Sequence, residues 1–239
     1  MPTSPLSPRP GRFLALLAGL ALTTAMTTGL AAGHASAPTR HEGAPGHAAS
    51  PMVHQDSRTR IDAAVFHDQW RRLWEDHVTW TRLAIVSFAD GSAGFDATAA
   101  RLMENQADIG DAIRPFYGRV AGNRLTALLQ DHIGIAVQLL QAAKGADDDA
   151  FTRANKPWYA NADDIADFLA RANPRYWPRA AMRAAMRGHL DMTLAEAGHE
   201  LAGQYAASVA DYDEVHHHIL GMADVLSSGI VHAFPRRFR

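Results

Sequence analysis

From residue 60 to about 235, apolar side chains recur at intervals of three and four. That is the period of helices with one face turned to a core. The last segment shows it well: Val215, Ile219, Met222, Ala223, Leu226 and Ile230 form one stripe, with His216 at its edge. An earlier segment, Arg60 to Ala89, carries Phe66, Trp70, Leu73, Trp74, His77, Trp80, Thr81 and Ile85 on one wide face and stops at Gly91 and Gly94. A second helix is expected from Asp96, a suitable N-cap, to Pro115 or Gly118, with Gly110 a candidate interruption. The third spans Gly122 to Lys144, with Leu125, Leu128, Leu129, His132, Ile135 and Leu139 on one side and Gly145 as its stop. Asp147 to Ala172 form the fourth, which Pro157 is expected to kink and Asn173-Pro174 to end. Pro178 opens the fifth, which runs toward Gly203 with Gly198 as a rival stop. The sixth continues to Ala233 and closes at Phe234-Pro235. No period-two run and no Asn-Gly or Asp-Gly hairpin signals a strand. The expectation is an all-α, up-and-down antiparallel bundle of about six helices, four long core helices and two return helices, in one domain over residues 58–239.

The ends change the picture. Arg9 and Arg12, the apolar run Phe13 to Leu22 and the Ala35-Ser36-Ala37 site give residues 1–37 the form of an export signal. Thr23, Thr24, Thr27 and Thr28 interrupt that run, so it falls short of the ~20 residues of a membrane span. Without cysteine there is no lipobox, disulfide or thiolate metal site. A secreted or periplasmic protein without a transmembrane anchor is expected. Residues 38–57 mix Pro, Gly, Ala and Ser without apolar period and read as a flexible linker carrying His41, His47, Met52 and His54. Those four suit loose copper capture, and a solvated linker with scattered histidines is the plainer reading. Beyond residue 37 there remain 21 basic and 25 acidic side chains, a net charge of −4. Nucleic acid is not an expected partner, because phosphate binding needs a clustered basic face.

Candidate chemistry lies in the histidines. If Gly91, Gly145 and Gly203 turn at one end of the bundle, His77, His132 and His189 lie 14, 13 and 14 residues before them, and His216 and His218 lie 13 and 15 after Gly203. At ~1.5 Å per residue all five stand some 20–22 Å from that end. Trp158 and Tyr159 share the depth. Buried imidazoles need partners, and a transition-metal ion such as copper, zinc or iron supplies one to several at once. The metal set is therefore His77, His132, His189, His216, His218 and Asp213, with Asp76, Asp131, Asp191 and Asp213 as carboxylates that could orient the rings. Haem held by facing histidines is an alternative cofactor, with Trp80, Tyr159, Tyr212 and Met192 around it. A di-iron reading would use Glu196-x-x-His199 and Asp213-x-x-His216, but their depths differ by roughly 4–5 Å. A hydrogen-bonded polar layer without metal explains the same residues. The chain has no phosphate-cradling loop, dinucleotide fingerprint, nucleophile elbow, H-E-x-x-H motif or C-x-x-C-H haem attachment.

The stretches Leu73-Trp-Glu-Asp-His-Val-Thr-Trp-Thr-Arg82, Trp158-Tyr-Ala-Asn-Ala-Asp-Asp-Ile165, His189-Leu-Asp-Met-Thr193 and Tyr212-Asp-x-Val-His-x-His-Ile-Leu-x-Met-Ala-Asp224 resemble a family of small exported bacterial all-helical proteins of unestablished function. Some members carry the automatic names glycosyltransferase or acetylglutamate kinase, which nothing in these residues supports. The resemblance implies that the positions of His77, His132, His189, His216 and His218 carry histidine across the family, and that His199 and His217 are incidental. Pro157 departs from its pattern. The functional expectation is metal sequestration, sensing or delivery, with a metal- or haem-dependent redox enzyme and a metal-free envelope interaction module as alternatives.

Overall fold

An aspartate that sequence reading passed over starts the first helix. Asp62 Oδ1 accepts from the backbone nitrogens of Ala64 and Val65 at 3.0 and 3.2 Å, so α1 begins at Ala63 and runs to Ala89. The computed structural model describes residues 60–239; the expected export signal (1–37) and linker (38–57) lie outside the described residues. After α1 come α2 (Phe95–Lys144), α3 (Asp148–Ala172), α4 (Arg179–Leu201) and α5 (Tyr205–Ala233), then a short 3-10 turn, Pro235–Arg237. The described residues are helical and form no sheet. Their one isolated bridge pairs Ile61 with Phe238, where Ile61 N donates to Arg237 O at 2.8 Å and Arg239 N to Ile61 O at 3.0 Å.

Among the described residues there are five helices, and the longest, α2, joins the expected second and third through one non-helical residue. Gly118 holds φ 86° and ψ 167°, open to a residue without a Cβ. Gly110 and Gly122 would be ~18 Å apart along a straight helix. Instead the Gly122 carbonyl oxygen lies 2.8 Å from where a Gly110 Cβ would sit, so the two arms of α2 fold against each other. Gly110 is thus a close-approach point and not an interruption. The expected fourth helix is α3, which continues through Pro157 to Ala172. At the 145 turn the positive φ belongs to Ala146 (51°) and not to Gly145 (−82°).

Each helix packs on the next, and α5 closes the ring on α1. Inside lie Trp70, Trp74, Ile109, Trp158, Ile165, Leu190, Ile219 and Ile230. Burial of such side chains, at ~1.5–3 kcal/mol each, is what holds the rods together. Outside, Asp167 takes both Arg179 and Arg183 while Asp163 takes Arg187, tying α3 to α4. No helix among the described residues is long and apolar enough to cross a membrane.

Candidate functional site: a buried histidine cluster

Three of the five expected histidines are buried on three helices. His77 (α1), His132 (second arm of α2) and His189 (α4) are 4, 4 and 5% exposed. The His77 and His189 rings lie 5.8 Å apart, and His218 (α5) stacks on His189 at 6.5 Å with planes 6° apart. His132 stacks on Trp158 at 5.2 Å. Thr81 and Thr193, each one turn beyond a histidine, donate to the carbonyls of His77 and His189 at 2.8 Å.

Two expected ligands are not brought there. His216 is half-buried on the flank of α5 toward α1, its Nε2 3.5 Å from Glu75 Oε1 and its ring 5.9 Å from Tyr212. Asp213 is exposed. The cause is helical phase: His218 lies between Val215 and Met222 on the packed side, while positions 213 and 216 fall to its edge. Trp80, Tyr159 and Tyr212 do not converge either. Trp80 lies beneath Arg101, Tyr159 donates to Asp191, and Tyr212 lies beneath Arg82. The carboxylates expected to orient the rings are engaged elsewhere or exposed: Asp76 faces Arg101 at 3.9 Å, and Asp131 and Asp213 are exposed.

Amides do the orienting. Asn161 Nδ2 donates to Leu128 O at 3.1 Å, which fixes its Oδ1 as the acceptor for His132 Nδ1–H at 2.8 Å. His132 therefore keeps its lone pair on Nε2. His218 donates from Nε2 to Ala185 O at 2.9 Å, which leaves its lone pair on Nδ1. Gln106 Nε2 donates to Leu102 O at 2.8 Å and has both Asn105 Oδ1 and His77 Nδ1 at 3.3 Å, so Asn105 and His77 share its second proton. His189 is the exception. Its Nδ1 is buried without a hydrogen-bond partner. An orphaned buried nitrogen costs ~1–3 kcal/mol and calls for an explanation. As the side chains stand, the described residues contain no group of three or more His, Asp or Glu placed to hold a metal ion.

Burial sets the charge state. Desolvation first, then the neighbouring His132, lowers His77 to about 4, against the upward pull of a hydrogen bond with the Asn105 side chain. Desolvation also lowers His132 to about 4, opposed by its Asn161 bond. His189 falls well below 6.5 through desolvation and the positive charge its neighbours His77, His132 and His218 would carry. All three are neutral at pH 7. A base that weak accepts protons poorly, but a neutral imidazole is the form a metal binds. The chemistry open to the cluster is ligation more than acid–base catalysis.

A second buried polar group lies toward the Gly203 turn. Arg82 Nη1 meets Glu196 Oε1 at 3.2 Å and Arg82 Nη2 meets Glu200 Oε2 at 3.0 Å, while Ser208 donates to Glu200 at 2.7 Å. One guanidinium faces two carboxylates. Desolvation pushes Glu196 up to about 7, Arg82 pulls it down, and Glu200 and Asp211 raise it again. Next to this group His199 pairs with Asp211 at 2.5 Å, so Glu196 and His199 do not act as a joint ligand pair. The signal for this group was present in the sequence: Glu196 and Glu200 continue the His189–Thr193 stripe at helical spacing. Asn105, Gln106 and Asn161 carry the same sign, polar residues on apolar faces. Comparison with protein-family models, curated proteins and solved structures finds no match for this chain.

Proposed function

We propose that this chain is an exported helical-bundle protein that takes up a transition-metal ion at His132, His189 and a third imidazole, for sequestration, sensing or delivery. The observation that carries the reading is the unpartnered Nδ1 of His189, buried beside the His77 and His132 imidazoles, which stay neutral. Monovalent copper suits the cluster better than a divalent ion. A dry core penalises every added charge, and neutral imidazoles supply no compensating anion. His132 is already oriented for ligation by its Asn161 bond, as outer partners orient ligand histidines elsewhere. His218 Nδ1 and a ring nitrogen of His77 compete to be the third ligand. The export signal in residues 1–37 and the likeness to small exported helical proteins support the extracytoplasmic setting.

The metal-free reading has its own support. Gln106 and Asn161 satisfy one nitrogen each of His77 and His132 without any ion, so the cluster can stand as a polar layer inside the core. Equilibrium dialysis separates the two. With His41, His47 and His54 replaced by alanine in the full chain, one copper(I) per chain is expected, lost on His189→Ala. Retention of the ion after His189→Ala, or no ion bound, rejects the copper reading.

A further inference from the structure

Between the histidine cluster and the Gly91, Gly145 and Gly203 turns lies a cavity of about 170 Å³ that neither metal reading uses. Thr81 and Thr193, one turn beyond His77 and His189, border it, as does Trp158, which stacks on His132. The rest of its wall is almost wholly apolar, with Ile85, Leu102, Ile133 and Leu194 contributed by α1, both arms of α2 and α4. Polar atoms at its border are few: each threonine hydroxyl donates its proton to a backbone carbonyl, and the Trp158 indole N–H is left without a hydrogen-bond partner. A charged or sugar-like guest would lose its water and find at most one indole N–H in return. Water itself needs two to four polar partners, which this wall does not offer. Cavities of ~150 Å³ with walls of this kind stay dry and hold benzene or xenon.

We propose that this cavity is a binding site for a small uncharged apolar molecule of about six to nine heavy atoms, lodged one helical turn from the histidine cluster. The site does not depend on the metal reading, since its wall is complete in the metal-free chain. Its driving force is the apolar area that the guest and wall remove from water, together with the contacts an empty wall lacks.

Thermal unfolding of the full metal-free chain with toluene, indole and benzoate tests it. Toluene and indole are expected to raise Tm by about 4 °C for each tenfold excess over their dissociation constants, and benzoate to leave it unchanged. Two filling variants on different helices, Ala99→Phe and Ala197→Leu, are expected to abolish the rise. Should one not fold, the other carries the test. Xenon-pressurised crystals provide a second readout, with the gas expected between Ile85, Leu102 and Ile133. The proposal is overturned by unchanged Tm with both apolar probes up to their solubility, by an equal rise in a filling variant that folds, or by benzoate acting like toluene.

Discussion

His132 and Asn161 face each other across the α2–α3 interface with Nδ1 and Oδ1 2.8 Å apart, and the other end of the amide is held by Leu128 O. That bond decides which nitrogen of His132 carries the proton. Replacing Asn161 with leucine strands a buried N–H and is expected to cost about 1–3 kcal/mol in urea unfolding. Copper affinity is expected to fall ~10–100-fold with it. Asn161→Asp puts a carboxylate against the ring and should raise the His132 pKa above 4, measured by NMR titration of the imidazole.

Stability should fall on the acid side of neutrality. His77, His132 and His189 have folded pKa values below the unfolded 6.5, so the unfolded chain binds more protons and their contribution is lost as pH falls from 6.5 toward 4. Glu196 acts oppositely: raised from 4.5 to about 7, it contributes stability at low pH that is lost as pH rises through 7. Three protons against one leave a net uptake of about two on unfolding near pH 5.5, or ~2.7 kcal/mol per pH unit. Urea midpoints at pH 7.5, 6.5 and 5.5 check this. Glu196→Gln removes the opposing group and should steepen the acid slope.

Arg82 is the sole cation against Glu196 and Glu200 inside the bundle among the described residues. Arg82→Met leaves two buried carboxylates without it and is expected to destabilise by ~3–5 kcal/mol. Adding Glu196→Gln and Glu200→Gln to that variant should restore most of the loss, as read by chemical denaturation. A triple variant no more stable than Arg82→Met would show that packing of the guanidinium, not charge, matters there.

The hairpin within α2 depends on how closely its arms meet. A Cβ at Gly110 would lie 2.0 Å from Thr126 Oγ1 and 2.8 Å from Gly122 O. Gly110→Ala should therefore cost more than ~2 kcal/mol despite alanine's better helix propensity. Adding Thr126→Ala should recover only part, because the backbone clash remains. Thermal unfolding of the pair decides it.

Helix positions were legible because apolar period, prolines and glycine stops agree along most of the chain. The break at Gly118 was within reach, but Gly110 looked the same as an interruption until its packing partner across the hairpin was known. Depth along the bundle was also legible: counting residues from the turns brought His77, His132 and His189 together. Phase around each helix was not. His216 and His218 are two residues apart, ~200° around the axis, and only the neighbours of α5 determine which one faces His189. The amides were hidden for a different reason. A buried Asn or Gln is distinguished from a surface one by what it bonds, which a linear pattern does not contain.

The most direct measurement is NMR of the ¹⁵N-labelled histidine rings at pH 6 as copper(I) is added to the full chain. His77, His132 and His189 are expected to begin neutral, and by one equivalent the Nε2 signal of His132 and a nitrogen of His189 are expected to have shifted. If the His132 and His189 rings stay unmoved while His41, His47, His54 or the exposed His217 respond, the buried cluster is not where the ion binds.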